Sequence, residues 1–459
     1  MKRQHARRFA MVTMARALVL VLVLGGLVAC GGDDGDTAAD TSSTSDTTGN
    51  DTTSGSTLTI EADLTGDVTW PAGSKVTLKK HIFVENGTLT IEPGVTVLGE
   101  SGTSLVITTS AKLIAEGTAD APIVFTSAQP VGSRSAGDWG GVVMLGTAPI
   151  NVSGGTEKIE GFPSTEARTN YGGTDETHEC GSLEYVRIEF AGFELAPDNE
   201  LNSLTLGGCG NKTMVDHLQV HLGADDGVEN FGGAANFKHV VISQPDDDGL
   251  DWDFGFHGRV QFLVVQQNGL VGDKGFECDN NKNDNDAAPR SMPEIWNATL
   301  IGSNSEPGTA GKSQGGIHFR RGTAGKVNNA ILAHFTDNGI AVDDDATKAQ
   351  TDAGTLFLKH SIFWDNANDT TSLPTSTGVD GFDATAYFLG AALSNQVIDP
   401  KLTDALDLLA PSFVPMAGSP ALTGGGTPPD DGFFDPSATF VGAFGAEDWT
   451  AGWTSFAAN

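Results

Sequence analysis

Carboxylates recur in this chain at a spacing that suits cation chemistry. The motif Asp225-Asp226-Gly227-Val228-Glu229 is followed by Asp247-Asp248-Gly249-Leu250-Asp251 and Asp273-Lys274-Gly275-Phe276-Glu277, with a weaker echo at Asp337-Asn338-Gly339-Ile340-Ala341. Asp246, Asp253 and Asp279 add oxygens close by. Calcium accepts about six to eight hard oxygen ligands in flexible geometry, which predicts a calcium site drawn from Asp225, Asp226, Glu229, Asp247, Asp248, Asp251, Asp273 and Glu277. A second reading stays open. Asp favours turns and Gly permits positive φ, so Asp-Asp-Gly also reads as turn chemistry on a solvated edge.

Strands must position these groups. Each copy follows an apolar, strand-like run: His217-Leu218-Gln219-Val220, His239-Val240-Val241-Ile242 and Phe262-Leu263-Val264-Val265. Side chains alternate along a strand, so with Val228, Leu250, Phe276 and Ile340 in a core, Asp225, Glu229 and their equivalents face outward. The first two copies lie about one coil of a β-solenoid apart, and coils stacked at roughly 4.8 Å would line their carboxylates into a surface column. Like charges that close require a cation, a shared proton or solvent.

Further short alternating strands run through Val76–Leu78, Ile82–Val84, Thr88–Val97, Leu105–Ile107, Lys112–Thr118 and Pro122–Thr126, broken by Gly, Pro and Asn. With 59 glycines and no long amphipathic helical run, the chain reads as a turn-rich all-β protein. The length exceeds a usual compact domain, but solenoid coils contact only their neighbours and escape that limit. A formal charge of -33, made more negative by loss of the basic N-terminus described next, argues against nucleic acid and for metal cations, cationic surfaces or neutral glycans.

At the N-terminus, Lys2, Arg3, Arg7, Arg8 and Arg16 precede the apolar run Ala17–Leu24, which is short for a membrane span and reads as a secretory signal over residues 1–29. Leu27-Val28-Ala29-Cys30-Gly31 resembles the lipobox of bacterial lipoproteins. That resemblance implies lipidation of Cys30 and anchoring in a membrane; Gly31, not Asp, follows the cysteine, which favours the outer membrane, and a surface-exposed protein is the expectation, with the face not fixed by these residues. Residues 30–57 are an acidic Ser/Thr/Asp/Gly tether with too little apolar surface to fold. In an exported chain, Cys180 and Cys209 are expected to form a disulfide, leaving Cys278 as a buried apolar residue.

The segments Gly87–Val97, Lys112–Ser127 and Gly137–Gly146 resemble the opening coils of right-handed, single-stranded parallel β-helix proteins of the bacterial envelope. Later coils follow at Leu183, Leu218, Val240, Leu263, Ala298, Ala330 and Ser361, so the resemblance covers residues 58–445, with 446–459 expected as an aromatic cap over the last coil. Tyr185–Gly192, Leu204–Gly208 and Ala224–Gly227 further resemble envelope lipoproteins of this pectin-lyase-like fold that have no established chemistry. Parallel β-helices also host polygalacturonase-like hydrolases and pectate-lyase-like enzymes. Resemblance to the former implies Asp225, Asp226, Asp247 or Asp248 as acid and base, with His257 and Arg259 nearby. Resemblance to the latter implies Lys274 as base, although neighbouring carboxylates favour its charged form. No catalytic residue is assigned, since the hydrolases' Asn-Thr-Asp segment is missing and fold alone does not fix function.

Remaining expectations concern single residues. Trp139 is a candidate for stacking on sugars, whereas Trp252 shares its parity with Leu250 and is expected to pack inward. Residues Asp279–Asp286 read as a mobile loop or as an oxygen-rich site for calcium or sugar hydroxyls, and Arg320 and Arg321 as partners of nearby carboxylates. The combined expectation is a lipid-anchored, calcium-stabilised β-helix that acts as a structural, adhesive or glycan-binding protein, with a polysaccharide-degrading enzyme as the alternative.

Overall fold

A computed structural model describes residues 55–196, 199–304 and 314–459. The signal, Cys30 and nearly all of the tether lie outside the described residues. Among the described residues no helix is long and apolar enough to cross a membrane.

Short strands close into coils that stack in parallel register. On one ladder Val228 lies opposite Leu250, then Phe276, Ile317 and Ile340. On the other, Leu218 lies opposite Val240, then Leu263 and Ala298. This is an all-β parallel β-helix. The alternation explains the core: Val228, Leu250, Phe276 and Ile340 point in and are buried, together with Leu218, Val240 and Leu263. Cys278 is a buried free thiol in the same core. Trp252 packs inward and donates its indole N–H to Thr323 Oγ1 at 3.1 Å. Trp139 is buried as well, its indole N–H bonded to Glu189 O at 2.9 Å, so the sugar-stacking expectation for it is corrected. Cys180 and Cys209 are joined by a disulfide with their Cα atoms 5.7 Å apart.

Each coil presents three strand faces because its long strand bends once. Gly181–Glu189, Met214–His221, Asn236–Ser243, Arg259–Gln266 and Glu294–Ile301 turn at Tyr185, His217, His239, Phe262 and Asn297, whose φ angles are 48–61°. Left-handed backbone at a non-glycine residue costs on the order of 1 kcal/mol. Stacking of the four rings in sequence, with centroids 4.2, 4.3 and 4.9 Å apart, offsets that cost. A helix, Asp345–Ala353, interrupts the strands where Asp344 caps its N-terminus through Thr347 N at 2.8 Å and Gly354 closes its end at φ 71°.

The tail departs from expectation. Residues after the last coil strand, Gln396–Val397, do not cap the final coil but run back along the outer face of the bent strands. Phe434 packs on Trp296, Phe440 on Phe262, Trp449 on His239 and Trp453 on Tyr185, and Asn459 reaches Arg134. The reason is visible on that face. Outward residues Val264, Ile331 and Ile362 are apolar and are covered by Phe413, Val441 and Phe444, making a second core outside the coil.

Candidate functional site

The other outward face carries the acids. Parallel register places Glu229 opposite Asp251 and Asp251 opposite Glu277, each one residue beyond a core position. The acids before each strand follow the same register. Asp226 Oδ1 accepts the backbone N–H of Asp248 at 2.9 Å, and Asp248 Oδ1 accepts that of Lys274 at 2.5 Å, so each carboxylate anchors the next coil.

Donor atoms gather in four overlapping groups: Asp225, Asp226 and Asp247; Asp226, Glu229 and Asp251; and the same two patterns one coil on, Asp247, Asp248 and Asp273, and Asp248, Asp251 and Glu277. Within each group the oxygens lie within 4.8 Å of one another. With calcium–oxygen distances of roughly 2.4 Å, small side-chain adjustments would let one ion meet all three. The donor set is all oxygen, and Asp251, which two groups share, has an oxygen, Oδ1, buried without a hydrogen-bond partner among the described residues. The residues therefore could hold a cation that takes oxygen ligands.

Sequence alternation places these acids outside the coil core, but not at a solvated edge. An insertion between coils, held by the hairpin pairing Glu157 with Tyr171, covers the upper part of the face, where Ile159, Phe162 and Tyr171 pack on Val143 and Phe231. Glu229 shares a cleft with Glu160 and Tyr171 of this insertion, and Asp226, Glu229 and Asp248 are all buried. Burial, followed by neighbouring carboxylates, pushes Asp226, Glu229, Asp248 and Asp251 well above the carboxylate range. Burial and then Asp247 push Asp225 up to about 8. For Glu277, burial raises the carboxyl to about 7 against the pull of Arg320.

The columns end in neutral or cationic side chains. The position of Asp226 and Asp248 is taken by Asn202 in the preceding coil and by Lys274 in the following one. Asn202 donates to Glu229, and Lys274 bonds Asp273. Arg320 pairs with Glu277 and, at 2.8 Å, with Asp279, which Arg321 also bonds. The expected pairing of both arginines with carboxylates is thus present.

Beside the columns lies a cleft of about 180 Å³ lined by Glu160, Glu229, Asp251, Asp253 and Asp279. Lys158, Lys282, Arg320 and Arg321 face the same space. Burial and then Glu200 raise Glu160 to about 7, and burial and then Asp279 raise Asp253 to about 7. Glu160 and Lys158 escaped sequence reading because they sit in the insertion, outside any repeating register. No spacing signal marks them.

The hydrolase constellation is not assembled. His257 bonds Glu176 at 2.8 Å and the Gly255 carbonyl at 2.7 Å, and none of the ladder carboxylates. Arg259 bonds Asp431 of the returning tail and lies over Phe433. Both follow the strand Leu250–Asp253, while Asp247 and Asp248 precede it, and a whole strand separates them. Residues 279–286 are tied down from within: Asn280 and Asn281 exchange hydrogen bonds with Asn151, and Asp286 pairs with Arg290 at 2.8 Å.

Comparison with known proteins is consistent with this architecture. A family model described as a pectate-lyase-like β-helix domain matches residues 62–397. No curated protein and no solved structure gives a match. The matched span ends where the coils end, at Val397, and leaves out the returning tail. Because it takes in well over half of the sequence, the chain belongs to the pectate-lyase-like β-helix family.

Proposed function

We propose that this protein is a lipid-anchored β-helix of the bacterial outer membrane whose acidic ladder holds calcium and presents the surrounding face to glycan or to a neighbouring cell surface. One observation carries the reading: four overlapping three-carboxylate groups share ligands across three columns, and a buried oxygen of Asp251 lacks a hydrogen-bond partner among the described residues. Uncompensated charges at that spacing are not tolerated in a low-dielectric site, and calcium resolves them all with one type of ion. Anchoring rests on the sequence Leu27–Cys30. Isothermal titration of the full chain with calcium should show saturable binding that Asp251→Asn weakens, and labelled glycans should bind in calcium and not in chelator. Absence of calcium binding would return the ladder to turn chemistry.

A polysaccharide-cleaving enzyme is the second reading, favoured by the cleft. Glu160 and Asp253 are carboxyls raised to about 7 that face Arg320 and Arg321, and a carboxylic acid that keeps its proton near neutral pH suits general acid catalysis. Release of reducing ends or unsaturated products from a panel of neutral and acidic polysaccharides, abolished by Asp253→Asn, would establish it.

A further inference from the structure

The corner between the bent strands carries a cluster unlike the ladder. His217 and His239 occupy equivalent corner positions on adjacent coils, and Asp216 sits beside them. Both Nδ1 atoms approach the same oxygen, Asp216 Oδ1, at 2.9 and 2.8 Å. Only His239 makes a hydrogen bond to it. The Nδ1 of His217 is buried without a hydrogen-bond partner among the described residues, so its approach to the carboxylate is not aligned for one. One donor atom from each of the three residues lies within 4.8 Å of the other two.

The rings are held in place from three sides. Tyr185 stacks on His217 and Phe262 on His239, while Trp449 and Trp453 of the returning tail meet the imidazoles edge-on at 5.2 and 5.6 Å. Further along this corner stand Asn297 and Asn329, and each amide bonds the tail backbone. At the two histidines the tail is met by ring edges, which leaves the Nδ1 atoms to Asp216. Side-chain exposures of 27%, 16% and 22% for Asp216, His217 and His239 leave the cluster within reach of solvent.

We propose that Asp216 Oδ1 and the Nδ1 atoms of His217 and His239 form a second cation site, separate from the ladder, that takes a transition-metal dication of the zinc type with a further position open to water. Two imidazoles and one carboxylate are the ligands such an ion selects, while calcium selects oxygen alone. On binding, both rings take the Nε2–H tautomer and Asp216 turns from hydrogen-bond acceptor to ligand.

Titration of the full-length protein with Co²⁺ or Zn²⁺ in millimolar calcium, which occupies oxygen-only sites, tests this. One equivalent should bind, with the visible bands of a low-coordinate Co²⁺–imidazole centre and quenching of tryptophan fluorescence through Trp449 and Trp453. His239→Asn and His217→Asn should each weaken binding at least about ten-fold. Asparagine already occupies this corner at Asn297 and Asn329 with the same backbone, so these variants keep the fold. Asp248→Asn, in the ladder, should leave the signal intact. No saturable site in calcium, or affinity unchanged in both His→Asn variants, overturns the proposal; loss of the signal in Asp248→Asn but not in His239→Asn reassigns the ion to the ladder and overturns it too.

Discussion

Two outward faces of one solenoid, built on the same coil register, are used in opposite ways. The face under the tail presents amides. Gln219 donates to Ser455 O at 2.7 Å and accepts from Ser455 N at 2.8 Å, and Asn329 makes the same double bond to Gly426 at 2.9 and 2.7 Å. The other face presents carboxylates at equally regular intervals. An amide carries donor and acceptor, so it pairs with a peptide backbone in both senses and the chain closes on itself. A carboxylate only accepts, and a column of them has no donors to offer its neighbours. The amide face is completed by the protein's own tail; the acid face is left needing protons or cations from outside.

Removal of calcium should break the comparison most strongly. An ion present at a hundred times its dissociation constant stabilises the folded state by about 2.7 kcal/mol, so loss of two or more should lower the melting temperature by several degrees in calorimetry with and without chelator. The pH dependence sharpens the point. Asp225 is pushed up to about 8 and Glu160, Asp253 and Glu277 to about 7, whereas unfolded carboxylates titrate near roughly 4. Between those values the folded chain holds more protons than the unfolded one. In chelator its stability should therefore fall as pH rises from about 4 to 8, and calcium should flatten that slope. A flat profile in chelator would show that the acids are solvated and the two faces alike.

On the amide face the expected losses are indifferent to calcium. Trp453 is buried against Tyr185 and His217, and Trp453→Ala should cost about 3–5 kcal/mol in urea unfolding. Asn329→Ala strands the Gly426 backbone and should cost about 1–3 kcal/mol. If either loss depended on calcium, the faces would be coupled.

The sequence discloses these regions unequally, for a physical reason. Alternation about Val228, Leu250 and Phe276 marks strands because every coil repeats it, and the acids become visible by riding on that repeat. Their burial is not visible. Around Glu229 the cleft is shared with Glu160 and Tyr171, in an insertion that belongs to no register. The tail's path is hidden for a similar reason: it is read through its backbone by Gln219, Gln261, Asn297 and Asn329, so its own side chains need no period. Trp449 and Trp453 announce packing without saying against what.

The finest test exchanges one face's chemistry for the other's. In the column of Asp226 and Asp248 the chain itself places Asn202 before the acids and Asn338 beyond Lys274 and Gly315. Asparagine is therefore already accommodated by that backbone. In Asp248→Asn, the amide oxygen still accepts from Lys274 N, while the new N–H₂ can donate to the carboxylates grouped around it. Without calcium, the variant should be more stable than the parent by about 1 kcal/mol, because the amide is neutral without having to take up a proton. With calcium it should be less stable, because two three-carboxylate groups have each lost a ligand. The sign of the change in melting temperature, measured in calcium and in chelator, is the readout. A change of the same sign in both conditions would mean that the column carries no ion and that Asp248 serves, like Asn329 on the opposite face, only to hold the chain to itself.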